Sequence, residues 1–226
     1  MDSNHTEPTE EVATIENLPS RLSDGGTFLV ASPGDSLQHA VCLQIMCRFG
    51  RDGDVALVVT TTESATETID VYDRVCRETD RPSLRLVDTA SEQQSVSAPY
   101  SETPVVFTPS ADDVERLVLA LSDLTDHRRR TTQHILVRSL SPFLDAMSAD
   151  RVSDVLDRIT GIRSERGLCL LGVDYTGHDE QTMNRLAEHV DGVLWVTLRS
   201  SDEIELEFRP IRTSDGSPNG GDPTDE

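Results

Sequence analysis

The chain contains no lysine. All 20 of its basic residues are arginine, set against 41 aspartates and glutamates, which gives a formal net charge of −21 over 226 residues. So acidic a chain has no basic stripe of the kind that binds DNA or RNA through phosphates. Aromatic residues make up only 4% of it, so valine, leucine and isoleucine must fill the core. The four cysteines are Cys42, Cys47, Cys76 and Cys169. None form a C-x-x-C pair and no histidine pair accompanies them, which argues against zinc and for scattered buried thiols in a reducing cytosol. No apolar run approaches the ~20 residues that span a bilayer. The first residues are acidic and polar, unlike a signal peptide. A soluble, cytoplasmic protein is expected, with no membrane partner.

What is present suits one α/β domain. Residues 1–17 and 213–226 are acidic and polar, the latter rich in glycine and proline, and read as disordered tails around a domain at 18–212. Within the domain, apolar runs of strand length occur at Thr27–Ala31, Asp54–Thr60, Leu84–Val87, Pro104–Thr108, His134–Val137, Leu168–Val173 and Gly192–Leu198. Helical patterns lie between them, at Ser36–Phe49, through Ile69 to Cys76, from Val114 to Leu124, at Ser148–Arg166 and at Glu180–His189. Ser110 is expected to cap the third of these, with Asp113 reaching back. The stretch Asp88–Glu102 has no period and reads as a long loop. Glu203–Phe208 alternates Ile204, Leu206 and Phe208 with glutamates, which predicts an antiparallel edge strand with one wet face. Strands buried on both faces and alternating with helices predict a mostly parallel sheet flanked by helices. Ligands of such sheets sit beyond the carboxyl ends of the strands, so the first strand-turn-helix is the place for chemistry.

That turn reads Ala31-Ser32-Pro33-Gly34-Asp35-Ser36-Leu37-Gln38. Its position, between a strand and a helix, is that of a phosphate-binding P-loop. A working loop needs glycines for the turn, a lysine for the β and γ phosphates, and a serine or threonine for magnesium. Here Ala31 and Ser36 stand at the glycine positions, Leu37 at the lysine and Gln38 at the magnesium ligand. Asp35 adds negative charge where phosphate would lie. The other half of such a site is an acid ending a later apolar strand. The corresponding run is His134 to Val137, followed by Arg138-Ser139-Leu140-Ser141, with a cation at the acidic position.

Pro33-Gly34 in the loop and Ser139-Leu140-Ser141 after the strand resemble the G-x-P-G-x-G-K-T and D-S-L-S segments of KaiC-like proteins. With Gly161–Gly167, the segment from His178 to Thr182 and the ending Val190-Asp191-Gly192-Val193, the chain from Leu18 to Ile211 is similar to a degenerate member of the KaiC/GvpD branch of the RecA superfamily. The acidic, lysine-free composition likewise resembles that of proteins from salt-adapted archaea. At molar salt the Debye length is ~3 Å, so steering by this charge would be weak. The resemblance implies a RecA-like P-loop NTPase fold. Relatives of this kind use ATP and magnesium, assemble into rings or filaments, and several act in signalling or motility. The departures at Leu37, Gln38 and Arg138 remove the residues that would hold ATP and magnesium, so no cofactor and no catalysis are expected.

The remaining candidates have plainer explanations. Glu63 lies where relatives carry a catalytic acid but has no lysine or magnesium to work with. Asp179 and Glu180 suit a helix start better than a metal site with His178. Arg128-Arg129-Arg130 suits a helix C-terminus. Ser139 and Ser141 have no G-x-S-x-G elbow, and Trp195 sits in an apolar strand as core. Arg138 is expected to pair with Asp35 or Glu63 across the cleft, filling the old site with internal charge. The chain is thus expected to be a non-catalytic regulatory or interaction module. Its partner would be another protein, a KaiC-like or signalling relative or a second copy, rather than nucleic acid. The alternative is a sensor that binds ATP or ADP through the Ser32–Ser36 backbone without hydrolysing it.

Overall fold

Each apolar run forms a strand. The computed structural model of the protein describes residues 15, 18–76, 80–91, 103–108, 110, 113–125, 131–199 and 204–211, the side chains of 35–38 excepted. The strands are β1 (Gly26–Ser32), β2 (Val55–Thr60), β3 (Ser83–Asp88), β4 (Val105–Phe107), β5 (Gln133–Val137), β6 (Leu168–Asp174), β7 (Gly192–Leu198) and β8 (Ile204–Pro210). They make one sheet in the order β4-β3-β2-β5-β6-β1-β7-β8. All pairings are parallel except the last, where β8 closes the sheet antiparallel to β7. Every residue of β1, β2 and β5 is buried, because helices cover both faces of the sheet.

Alternation along the strands divides the core in two. Leu29, Leu57, Val59, Ile135 and Val137 point to one face, under α3 (Val114–Leu124), α4 (Ser141–Ala146), α5 (Ala149–Thr160) and α6 (Glu180–Ala187). Phe28, Val30, Ala56, Val58 and Leu136 point to the other, under α1 (Asp35–Phe49) and α2 (Ala65–Val75). α2 begins with a capping box, in which Ser64 Oγ accepts from the Glu67 N–H and Glu67 accepts from the Ser64 N–H. No helix among the described residues is long and apolar enough to cross a membrane.

Four expectations change. The helix expected at 148–166 ends at Thr160, with Gly161 as its C-cap. A separate short helix, α4, precedes it with Pro142 in its first turn, where a missing N–H costs nothing. Asp113 rather than Ser110 caps α3, its carboxylate accepting the Arg116 N–H. Cys47 and Cys76 are joined in a disulfide between α1 and the end of α2, Cα atoms 5.6 Å apart, while Cys42 and Cys169 are buried free thiols. Ile15, within the segment read as a tail, packs on the α1/α2 side of the core. The rest of residues 1–17, the loop at 92–102, Arg128–Arg130 and residues 212–226 lie outside the described residues.

Candidate functional site

The parallel register brings the ends of β1, β6, β5 and β2 to one edge of the sheet, with Ser32 opposite Asp174 and Val59 opposite Val137. After Ser32 and the exposed Pro33, Gly34 turns the chain into α1 at φ 94°, a left-handed conformation that favours glycine. The loop's polar groups bond within the protein. Ser32 Oγ donates to the Gly34 carbonyl at 2.6 Å, and the Gly34 N–H donates to the Asp174 carboxylate. In a P-loop such an N–H faces phosphate. Here a carboxylate takes it. Burial pushes the Asp174 carboxyl up, but hydrogen bonds from the Thr176 hydroxyl and N–H and from the Gly34 N–H outweigh it and leave the group more acidic than usual. The backbone of Asp35, Ser36, Leu37 and Gln38 forms the first turn of α1; their side chains are outside the described set. Ala31 is fully buried at the end of β1.

Arg138 follows β5. Its N–H donates to the Val59 carbonyl at 3.0 Å, so it continues the ladder and projects to the same face as Leu136, toward α1 and α2. The side chain is 1% exposed, and its Nη2 donates to the carboxylate of Glu63, which is 31% exposed in the turn before α2. Glu63, one of the two acids offered by the sequence, makes this bond, and the side chain of the other, Asp35, lies outside the described residues. Burial is the larger and the Arg138 charge the smaller of two effects that lower the His39 pKa to about 3, so this α1 ring is neutral. Burial also pushes the Cys42 thiol far up, only partly offset by Arg138.

The flanking residues are tied down. Ser139 donates its N–H to Thr61 Oγ1 at 3.1 Å, and Thr61 Oγ1 donates to the Ser139 carbonyl at 3.0 Å. Asp88, buried at the end of β3, accepts from the N–H groups of Ala65, Ala90 and Ser91 and from the Ser91 hydroxyl. Burial pushes its carboxyl up, and these bonds more than reverse that. Ser141 Oγ lies 2.9 Å from His178 Nε2, but no carboxylate bonds the other ring nitrogen among the described residues, so a relay of acid, base and nucleophile is incomplete. Asp179 caps α6, as its helix-start reading requires, accepting the Thr182 N–H at 2.8 Å. Trp195 is half-buried, edge-on to Tyr175 at 5.3 Å. No group of three or more metal-ligating side chains occurs among the described residues.

Sequence reasoning missed Asp174 and His39. Asp174 had a signal, an acid directly after the apolar run Leu168–Val173 at the carboxyl end of a strand. His39 had none beyond its place on a helical stripe.

Two solved structures share this architecture at a TM-score of 0.50 or above. The uncharacterized protein PH0321 of Pyrococcus horikoshii, crystallised with an unknown peptide, matches at TM-score 0.52 and 13% identity, over 82% of this chain and 84% of that one. The PH0250 protein of Pyrococcus horikoshii matches at TM-score 0.50 and 13% identity, over 80% and 85%. The flagellar accessory protein FlaH of Methanocaldococcus jannaschii matches at TM-score 0.49 and 11% identity, over 84% and 79%. At these identities the likeness is one of fold, the RecA-like α/β arrangement. No curated protein matches the sequence. The family of unknown function DUF7504 matches residues 25–196, and the chain belongs to it.

Proposed function

We propose that this DUF7504 member is a non-catalytic RecA-like module, a pseudo-ATPase in which internal charge occupies the ground that a nucleotide and magnesium would hold. The observation that carries the reading is the buried Arg138–Glu63 pair at the carboxyl end of β5. A cation at that point repels magnesium, and it holds the Glu63 carboxylate, which would otherwise be free to position a water. The Asp174 carboxylate on the Gly34 N–H supports the same reading from the loop side. What such a scaffold retains is surface, so its work is regulation through another protein or a second copy of itself, in signalling or motility as the KaiC-like resemblance implies.

The test is thermal unfolding of the full chain with Mg-ATP, Mg-ADP or Mg-GTP in matched salt. A ligand at a hundred times its dissociation constant stabilises by about 2.7 kcal/mol, a rise of roughly 5–11 °C for a protein of this size. No nucleotide-dependent rise is expected. A saturable one transfers the conclusion to the nucleotide sensor.

A further inference from the structure

β8 ends the sheet, and half of its backbone faces away from it. The Ile211 N–H donates to the Asp191 carbonyl, and from there the antiparallel register with β7 turns the amides of Arg209, Glu207 and Glu205 inward. The N–H and C=O groups of Ile204, Leu206 and Phe208, with the Pro210 carbonyl, therefore point outward, and no described residue bonds them. Among the described elements only β7 packs broadly against β8. Edge strands are usually kept short, bulged or guarded by charge that a second strand would bury unpaired. β8 runs seven residues in unbroken register, and its charges balance. On the wet face Arg199 bonds Glu205 and Arg209 bonds Glu207, each through two nitrogens. That strip is neutral in a chain of formal net charge −21. On the opposite face Ile204, Leu206 and Phe208 are half-buried, and Leu198, beside Ile204 on β7, is 54% exposed.

We propose that this edge joins a second copy of the chain, β8 antiparallel to β8, about a twofold axis through Glu207, the central residue of the strand. The proposal deepens the reading of the fold as a surface that works through a partner, and names the chain itself as that partner. In this register Leu206 lies opposite Phe208 of the second copy, and Ile204 opposite its Pro210, so every outward N–H of the strand meets a carbonyl. The N–H that Pro210 lacks falls at the strand's end, where proline is tolerated. Glu205 lies opposite Arg209 of the second copy, with Cβ atoms ~5 Å apart. Charges then alternate across the junction, from Arg199 to Glu205, to the second copy's Arg209, to its Glu207. Glu207 meets itself at the axis, each already bonded to its own Arg209. Neighbouring registers fit less well. An axis at Leu206 sets Glu205 opposite Glu207 on both sides, and like charges directly opposite are unfavourable. An axis at Phe208 carries Ile204 beyond the end of the facing strand. A strand of another protein would have to reproduce this alternation, whereas a second copy carries it already.

Sedimentation velocity of the full chain over a dilution series reads the association. A dimer that dissociates on dilution is expected. Arg209→Glu should weaken it about tenfold, because the glutamate–arginine pairs on both sides of the axis become pairs of like charge. Glu205→Arg/Arg209→Glu restores those pairs with their signs exchanged and should recover most of the loss. Cysteine placement reads the register without depending on charge. Under diamide, Glu207→Cys should link two chains at the axis, where facing Cβ atoms lie ~4.5 Å apart. Glu205→Cys faces Arg209 of the second copy and should not. A monomer at every concentration, a dimer indifferent to Arg209→Glu, no linking by Glu207→Cys, or equal linking by Glu205→Cys overturns the proposal. None of these outcomes touches the cleft, so each leaves the non-catalytic reading standing with another protein as partner. A shift with Mg-ATP removes that reading whatever the oligomeric state.

Discussion

Removing the Glu63 carboxylate and removing the Arg138 guanidinium should have opposite consequences, although both break the same bond. In Glu63→Ala a cation that is 1% exposed loses the Glu63 carboxylate and stays buried. Two unit charges ~4 Å apart at an effective dielectric near 20 attract by ~4 kcal/mol. Glu63 is 31% exposed, so solvent screens part of this, and a cost of about 2–3 kcal/mol is expected. That corresponds to a melting temperature lower by roughly 4–12 °C. Glu63→Gln keeps an acceptor for Nη2 and should cost about half as much. In Arg138→Met the buried charge itself is replaced by an apolar side chain of similar length, and the released Glu63 turns to solvent. Such replacements range from neutral to stabilising, so Arg138→Met should melt within about 1 kcal/mol of wild type or above it. The double variant should follow Arg138→Met, because without the cation the carboxylate has nothing to neutralise. Denaturant unfolding of the four proteins closes the cycle. If Glu63→Ala costs less than about 0.5 kcal/mol, or Arg138→Met costs more than Glu63→Ala, the pair is not what neutralises the cleft.

Three further outcomes are expected. The His39 pKa lies near 3 in the folded protein, below its unfolded value of about 6.5; the unfolded chain therefore takes up a proton first, and stability complete above pH ~6.5 falls by up to ~1.4 kcal/mol per pH unit toward pH 3. His39→Leu should flatten that acid limb, and an unchanged slope between pH 6 and 4 would rule out a buried neutral ring. The Asp88 carboxyl is depressed, so its contribution is present above its unfolded value of ~3.9 and lost as pH falls through the folded one; Asp88→Asn should cost about 2–3 kcal/mol at pH 7 and less at pH 3, and an equal cost at both would contradict this. The disulfide joins residues 29 apart, and opening it with dithiothreitol should remove about 3–4 kcal/mol. Identical melts with and without reductant, or two thiols alkylated in the unreduced unfolded chain beyond Cys42 and Cys169, would show that the bond is not formed.

The sheet was legible because its chemistry is local. Thr27–Ala31 and Gly192–Leu198 are apolar without alternation, which only burial on both faces explains, whereas the glutamates of β8 alternate and gave away the edge. Boundaries were less legible where two signals compete. Ser148 to Arg166 keeps apolar residues in phase past Thr160, but Gly161 and the turn after it end the helix. Ser110 and Asp113 both suit a cap, and only the backbone decides for Asp113. The candidate site divides the same way. That Leu37 follows the first strand's turn and Arg138 the fifth strand was readable from the sequence alone. The meeting of Arg138 with Glu63, 75 residues apart in sequence, depends on the β2–β5 register and on α2 covering the face to which Arg138 projects. No short-range pattern encodes those.

On the non-catalytic reading proposed above, the two halves of the cleft depart from an ATPase in a related way. An active site of this class has positive charge on the loop for phosphate and negative charge on the strand for magnesium. Here the loop side holds the Asp174 carboxylate on the Gly34 N–H, and the strand side holds Arg138. On that reading both signs are reversed among the described residues. Installing a lysine at Leu37 would leave Arg138 against the metal, and placing an acid at Arg138 would set it beside Glu63 without the cation that Glu63 now bonds. Each single reversion therefore meets an interior already arranged for the opposite charge. A cleft that had merely lost one catalytic group would accept that group back; on the proposed reading this one would need the loop, the strand and Glu63 changed together, so neither Leu37→Lys nor Arg138→Asp alone should give nucleotide-dependent stabilisation.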